Sequence, residues 1–251
     1  MKRSKTDIFR KIVIQASRQP RGQSFVELML VLVFLTMLLA GAVEFGFLLN
    51  NYLHVLDGAR EAARYSSSAI AYDLNSGATI PEFYYYTAVQ AANTLVPVKL
   101  DPTKGDDIII SVISAYENTV LRHPNANGWS LCGNYDAFVN YLWAHDPNHP
   151  SDPLQSVPPS LADVNWYSCS AHASRINDAA IVARLDPCAP NAGVLMVEIL
   201  YDYPQMLKLP VFSNNTFFGV QFSLVPDPIP VYVYSIMPIS SAEPKQVRIP
   251  C

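Results

Sequence analysis

Glu27 is the acid in this chain whose position most asks for a chemical explanation. It closes the run Arg21, Gly22, Gln23, Ser24, Phe25, Val26, Glu27, just before the uncharged stretch from Leu28 to Val43. A carboxylate at the edge of hydrocarbon is costly and calls for a counter-charge or an interface close by. Hydrolysis of the chain after Gly22 would supply the counter-charge, because the new ammonium on Gln23 stands one helical turn from Glu27, at the i, i+4 spacing that faces side chains toward each other. The positive end of the helix dipole favours the carboxylate in the same first turn. Such a pair offsets two charges that are expensive singly, and it works equally well between neighbouring subunits.

The segment that positions Glu27 is long enough to cross a bilayer. From Phe25 to Leu49 only Glu27 and Glu44 carry a charge in a predominantly apolar run, and at about 1.5 Å per residue this covers a hydrocarbon core of roughly 30 Å. Glu44 falls at the far end, where an interfacial carboxylate in reach of water is expected. Before the span, residues 1–22 carry seven bases (Lys2, Arg3, Lys5, Arg10, Lys11, Arg18, Arg21) against Asp7. That leaves ten bases and twenty acids beyond residue 22, a formal −10 within a whole-chain charge of −4. Bases just ahead of a hydrophobic span stay cytoplasmic and direct the C-terminal side outward. The expected layout is therefore a basic cytoplasmic leader (1–22), a transmembrane and spine helix (23–67) and an extracytoplasmic domain (68–251) anchored in the cytoplasmic membrane. An acidic exported part argues against nucleic acid as a partner, since that requires a basic face.

Read together, Arg21 and Gly22 before a cut, Glu27 after it, the triplet Glu44, Phe45, Gly46 and the run AREAARY from Ala59 to Tyr65 resemble the TadE-like proteins of tight-adherence pilus systems, within the type IV pilin superfamily. The resemblance covers residues 21–65, under a fifth of the chain. It implies a minor pseudopilin cleaved by a prepilin peptidase between Gly22 and Gln23. It also implies docking among other pilins, pseudopilins and pilus assembly proteins through Glu27, in contact with membrane lipid, with possible incorporation into a pilus. The chain departs from the family pattern at Val33 and Phe34, where a mid-helix proline is common.

Beyond the span, Leu49, Tyr52, Leu56, Ala59 and Ala63 advance by alternating threes and fours, the spacing of an interhelical seam. Asn50, Asn51, His54, Asp57, Arg60, Glu61 and Arg64 take the other faces. One helix from near Ser24 to about Ser67 is expected, free to pack on copies of itself or under its own domain. Gly58 weakens it by roughly 1 kcal/mol relative to alanine.

The remainder reads as α+β, with helices packed on one face of a small antiparallel sheet. Helices are expected at 82–95, near Tyr135–Trp143 and at Ala171–Arg184. Strands are expected at Asp106–Tyr116, Val194–Tyr203, Gly219–Val225 and Pro230–Met237, where β-branched and aromatic residues recur. A Pro- and Asn-rich insertion spans about 123–168. Cys132, Cys169, Cys188 and Cys251 all lie in the exported part, where an oxidising compartment permits disulfides, and four cysteines allow three pairings.

Catalytic signatures are missing. The chain has no G-x-S-x-G elbow, phosphate-binding loop, dinucleotide fingerprint or H-E-x-x-H helix, and no enzyme activity or cofactor is expected. Cys169 and His172 form a C-x-x-H, and His145 and His149 stand four apart. The Asp146–Pro147 step breaks any helix that would present both histidines, so no metal is expected. The expected function is structural. The other readings are an uncleaved anchor displaying an adhesin or receptor domain, and a secreted protein cut at Ala40, Gly41, Ala42 by signal peptidase.

Overall fold

The computed structural model describes residues 23–72, 80–116, 119–123, 127–145, 157–184, 192–208, 216–217, 220–221 and 226–243. The leader with Gly22, the cysteines at 188 and 251, and positions 146–156 of the insertion lie outside the described residues. The chain divides into two compact units, Met1–Gly46 and Phe47–Cys251.

Helix α1 runs from Gln23 to Ser66 without a break. From Phe25 to Leu39 its apolar side chains are open on every side: Leu30 is 69% exposed and Phe34 64%. A helix bare over its whole circumference is stable only where lipid or another apolar surface surrounds it. Among the described residues α1 is long and apolar enough to cross a membrane.

The second unit mixes helices and a small antiparallel sheet, the α+β architecture expected. Its core is built where Val55, Ala59, Ala62 and Ala63 of α1 meet Ala88, Ala91, Ala92 and Leu95 of helix α2, Pro81–Leu95. Small residues on both helices let the backbones approach closely. Gly58 is part of this contact, because a Cβ there would stand 3.0 Å from Leu95 Cδ2 and 3.4 Å from the Ala91 carbonyl. Thr87 Oγ1 donates to Ser66 Oγ at 2.8 Å, joining α2 to the end of α1.

The strands of the main sheet are β1 Asp107–Tyr116, β2 Thr119–Arg122, β3 Trp129–Ser130, β4 Ala192–Tyr203 and, after a separate hairpin of β5 Thr216–Phe217 with β6 Val220–Gln221, β7 Ile229–Pro238. Their order is β2-β1-β4-β7, with β3 also pairing with β1. All pairs are antiparallel. Of the expected strand at 219–225, only β6 lies among the described residues. Alternation along the strands separates two cores. Ile108, Ile110, Val112, Leu195, Val197, Ile199, Val231 and Val233 face the helical side, while Ile113 and Met196 join Ile176 and Ile181 in a smaller cluster on the other.

Helix α3, Tyr135–His145, falls where a short helix is expected. Tyr135 stacks on the fully buried Trp166, centroids 5.7 Å apart. Ser160 Oγ donates to the Ala92 carbonyl at 2.6 Å, and Leu100 N to the Ser160 carbonyl at 2.8 Å. These contacts order residues 157–168 against α2.

The expected helix over Ala171–Arg184 is corrected. Only Asp178–Val182 is helical, as α4, capped by Asn177, whose side chain accepts from Ala180 N. The preceding amides are engaged elsewhere: His172 N donates to Asp107, Ser174 N to the Asn127 carbonyl and Arg175 N to Glu198. Bonds to three separate partners hold this stretch outside the helical ladder.

Gly193 is required by close approach. A Cβ there would collide with the Ile239 carbonyl and lie 2.8 Å from Glu243 N, both backbone. The Ile239 amide also donates to the Gly193 carbonyl at 2.8 Å. Backbone cannot swing aside like a side-chain tip, so Gly193→Ala is expected to destabilise the domain by roughly 2–3 kcal/mol. Chemical unfolding in detergent, followed by the fluorescence of buried Trp129 and Trp166, measures this, and an unchanged midpoint would refute the close approach.

Candidate functional site

Two sets of residues hold the chain's chemistry. The first lies along α1. The helix begins at Gln23, so Gln23 and Glu27 are one turn apart on one face, and Glu27 is exposed. Gly22 lies outside the described residues, so only the downstream side of the expected cut is described. The seam residues divide. Leu49 is 45% exposed and Tyr52 38%, Leu56 is half-buried against the core, and Ala59 and Ala63 are fully buried in the domain's own core. Glu44, expected in reach of water, is instead buried. On the exposed face Arg64 Nη2 bonds Glu61 Oε1 at 2.7 Å.

The second set is a group of buried carboxylates at the sheet, which sequence reasoning missed. Asp107, wholly buried at the start of β1, accepts four hydrogen bonds. Its Oδ1 accepts from Ile108 N at 2.8 Å and Cys132 N at 3.1 Å. Its Oδ2 accepts from Ser130 Oγ at 2.5 Å and His172 N at 3.2 Å. These fill the roughly four acceptor positions a carboxylate offers. Asp106 binds two further segments, accepting from Asp202 N at 2.6 Å and Asp101 N at 2.7 Å. Glu198, fully buried on β4, takes Arg175 N at 3.0 Å and the Tyr232 hydroxyl at 2.6 Å on Oε1.

Burial pushes the Asp106 carboxyl up to about 7, against the two amide bonds that favour its charged form. Burial likewise pushes Asp107 up, opposed by its hydrogen bonds. The sequence signal available was small: two adjacent aspartates before an Ile-rich strand, and a lone glutamate inside the apolar strand VLMVEILY.

The disulfide lies beside this group. Cys132 is bonded to Cys169, with Cα atoms 5.5 Å apart and a separation of 37 positions in sequence. Of the three pairings open to four cysteines, those joining Cys132 or Cys169 to another partner are excluded. The cysteines at 188 and 251 lie outside the described residues. A disulfide sulfur is no longer a thiolate ligand, so the C-x-x-H of Cys169 and His172 is not a zinc site. Among the described residues no group of three His, Cys, Asp or Glu side chains is placed to hold a metal ion.

Residues 22–64 match the family model for TadE-like proteins. This stretch is similar to the TadE-like family. It takes in Glu27, the bare apolar surface and the seam, and it ends two residues before α1 does. The α2 helix, the sheet and the carboxylate group lie outside it. No match is found among curated proteins, and none among solved structures.

The buried acids generate a pH dependence. A carboxyl whose folded pKa stands above its unfolded value near 4 stabilises the fold fully below that value and loses the contribution as pH rises toward about 7. Resistance of the full chain to denaturant is therefore expected to fall from pH 5 to pH 7, with a slope of at most about 1.4 kcal/mol per unit from Asp106. The variant Asp106→Ala should be weaker at pH 5 and flatter across the range; an equally steep wild-type and variant profile would contradict the assignment. The disulfide closes a long loop, and the chain-entropy model gives about 4 kcal/mol for it. Peptide mapping without reductant should join Cys132 to Cys169, and Cys132→Ser should lower the unfolding midpoint accordingly.

Proposed function

We infer from the TadE-like segment a component associated with the tight-adherence pilus, anchored in a membrane by its apolar N-terminal helix. We propose that this chain is a minor pseudopilin-like structural subunit of a tight-adherence pilus or secretion apparatus. A prepilin peptidase removes residues 1–22, and the new N-terminus at Gln23 docks through the first turn of α1.

The observation that carries this reading is the placement of Glu27. It sits one turn into a helix that begins at Gln23, and it is exposed among the described residues. The Gln23 ammonium of one subunit meets the Glu27 carboxylate of its own helix or of the next, which removes the cost of leaving either charge alone in hydrocarbon. The protein is the substrate of a peptidase and catalyses nothing itself. Its partners are the peptidase, other pilins or pseudopilins, and pilus assembly proteins, reached within the cytoplasmic membrane. The domain beyond the stalk is extracytoplasmic, which suits its disulfide.

The N-terminus of the mature protein is the deciding measurement. Terminal sequencing or intact mass of the membrane-extracted chain should begin at Gln23. A chain beginning at Met1 would instead be an uncleaved anchor for an adhesin or receptor domain, and one beginning at Val43 would be secreted. Glu27→Ala is expected to insert and be cleaved normally yet fail to enter pili, and normal piliation by that variant would strip Glu27 of its docking role.

A further inference from the structure

Strand β7 forms one edge of the main sheet, paired on one side with β4 over ten consecutive residues without a bulge. Among the described residues nothing pairs with its other side. Open edges are ordinarily blunted by charges, bulges or prolines, because their free N–H and C=O groups template another strand. The sequence of β7, IPVYVYSIMP, contains no charged residue, so only Pro230 and Pro238 guard it, one near each end.

The prolines also show which groups are free. In an antiparallel ladder alternate residues turn their N–H and C=O toward the neighbour. Proline has no N–H to give and is accommodated where that position faces away from the partner strand. Pro230 and Pro238 share one alternation, so Tyr232, Tyr234 and Ile236 direct their backbone groups to the open edge. Their side chains lie on the face away from the helices: Tyr234 is 41% exposed and Ile236 40%, and Tyr232 is fixed by its bond to Glu198.

We propose that this edge pairs with the same edge of a second copy of the chain. Tyr234 lies midway between the two prolines, on the alternation they share. A two-fold axis through it sets the strands antiparallel, with Tyr234 opposite Tyr234, Tyr232 opposite Ile236, and Pro230 opposite Pro238. The paired window then closes at a proline at both ends in each copy. About six hydrogen bonds form across it, the aromatic and β-branched residues meet as cross-strand pairs, and no like charges meet within the ladder. A strand from an unrelated protein would gain nothing from the central placement of Tyr234 between the stops. The pairing uses the domain alone and is independent of processing after Gly22.

Cysteine cross-linking of the full chain in membranes tests the register. Under mild oxidation or a short thiol-reactive cross-linker, Tyr234→Cys should form a covalent homodimer well above the wild-type background. Ile236→Cys alone should not, whereas Tyr232→Cys and Ile236→Cys expressed together should give the mixed dimer. Retention of the Cys132–Cys169 disulfide confirms that each variant has folded. A folded Tyr234→Cys chain that stays monomeric would overturn the proposal. So would capture of a different protein, and so would equal dimer yields from all three single variants, which would indicate random collision.

Discussion

A buried carboxylate must collect hydrogen-bond donors, and in this domain backbone amides supply most of them. Asp107 alone ties the start of β1 to the turn after β3 and to the extended stretch at His172. Asp106 draws in the turn at Asp101 and the end of β4, and Glu198 fastens Arg175 and β7. When these carboxyls are ionised their bonds are charge-assisted and stronger than neutral ones, and losing a donor leaves a buried acid with its full desolvation cost. The long connections between strands are therefore fixed at their inner ends by three acids. The disulfide works on the same ground, since Cys132 donates its amide to Asp107 and Cys169 lies three residues before His172. Covalent and polar constraints converge on one corner of the sheet.

The stalk helix answers two solvents with one sequence. Its first half carries Leu, Val, Phe and Met at every turn and leaves them bare, as suits an element whose surroundings are apolar on all sides. Its second half alternates polar faces with a stripe of Val55, Ala59, Ala62 and Ala63 under the domain core. Gly58, a liability by helix propensity, is explained here by the approach of Leu95 and the Ala91 carbonyl. The local cost of glycine is exchanged for close packing of α1 against α2.

How much was legible in the sequence depends on how local each signal is. The helix at 82–95 and the strands around 107–116, 192–203 and 229–238 carry their own periodicity and were readable to within a residue or two. The stretch from Ala171 was not. Its alanines suit a helix, but its amides are claimed by Asp107 and Glu198, and those bonds span 65 and 23 positions. The bond from Asp202 to Asp106 spans 96. No window of sequence contains both ends of such an interaction, so a pair of aspartates before a strand looks like ordinary punctuation. The cysteine pairing was closed to sequence for the same reason, since it depends on which loops the acids bring together. At the stalk the position was reversed. The relation of Gly22, Gln23 and Glu27 is contained in six residues, and the TadE-like character of the segment could be read from short motifs along one helix.

The burial of Ala59 and Ala63 narrows how the stalk can be shared. A residue wholly enclosed by its own domain cannot also be the knob that enters a neighbour's hole without the domain separating from the helix. The core there includes Phe83, Trp129 and Trp166 as well as the alanines, and exposing it would forfeit apolar burial at roughly 25 cal/mol per Å². The α1 surface left open to any neighbour is therefore the part at and before Tyr52, where Leu49, Phe45 and the turns below remain exposed. In that part side chains compete with lipid of equal apolarity, so hydrophobic burial adds little to association. On the proposed reading, what would distinguish a protein neighbour from lipid there is a charge that lipid tails cannot satisfy, and among the residues of the first turns Glu27 is the one that carries it.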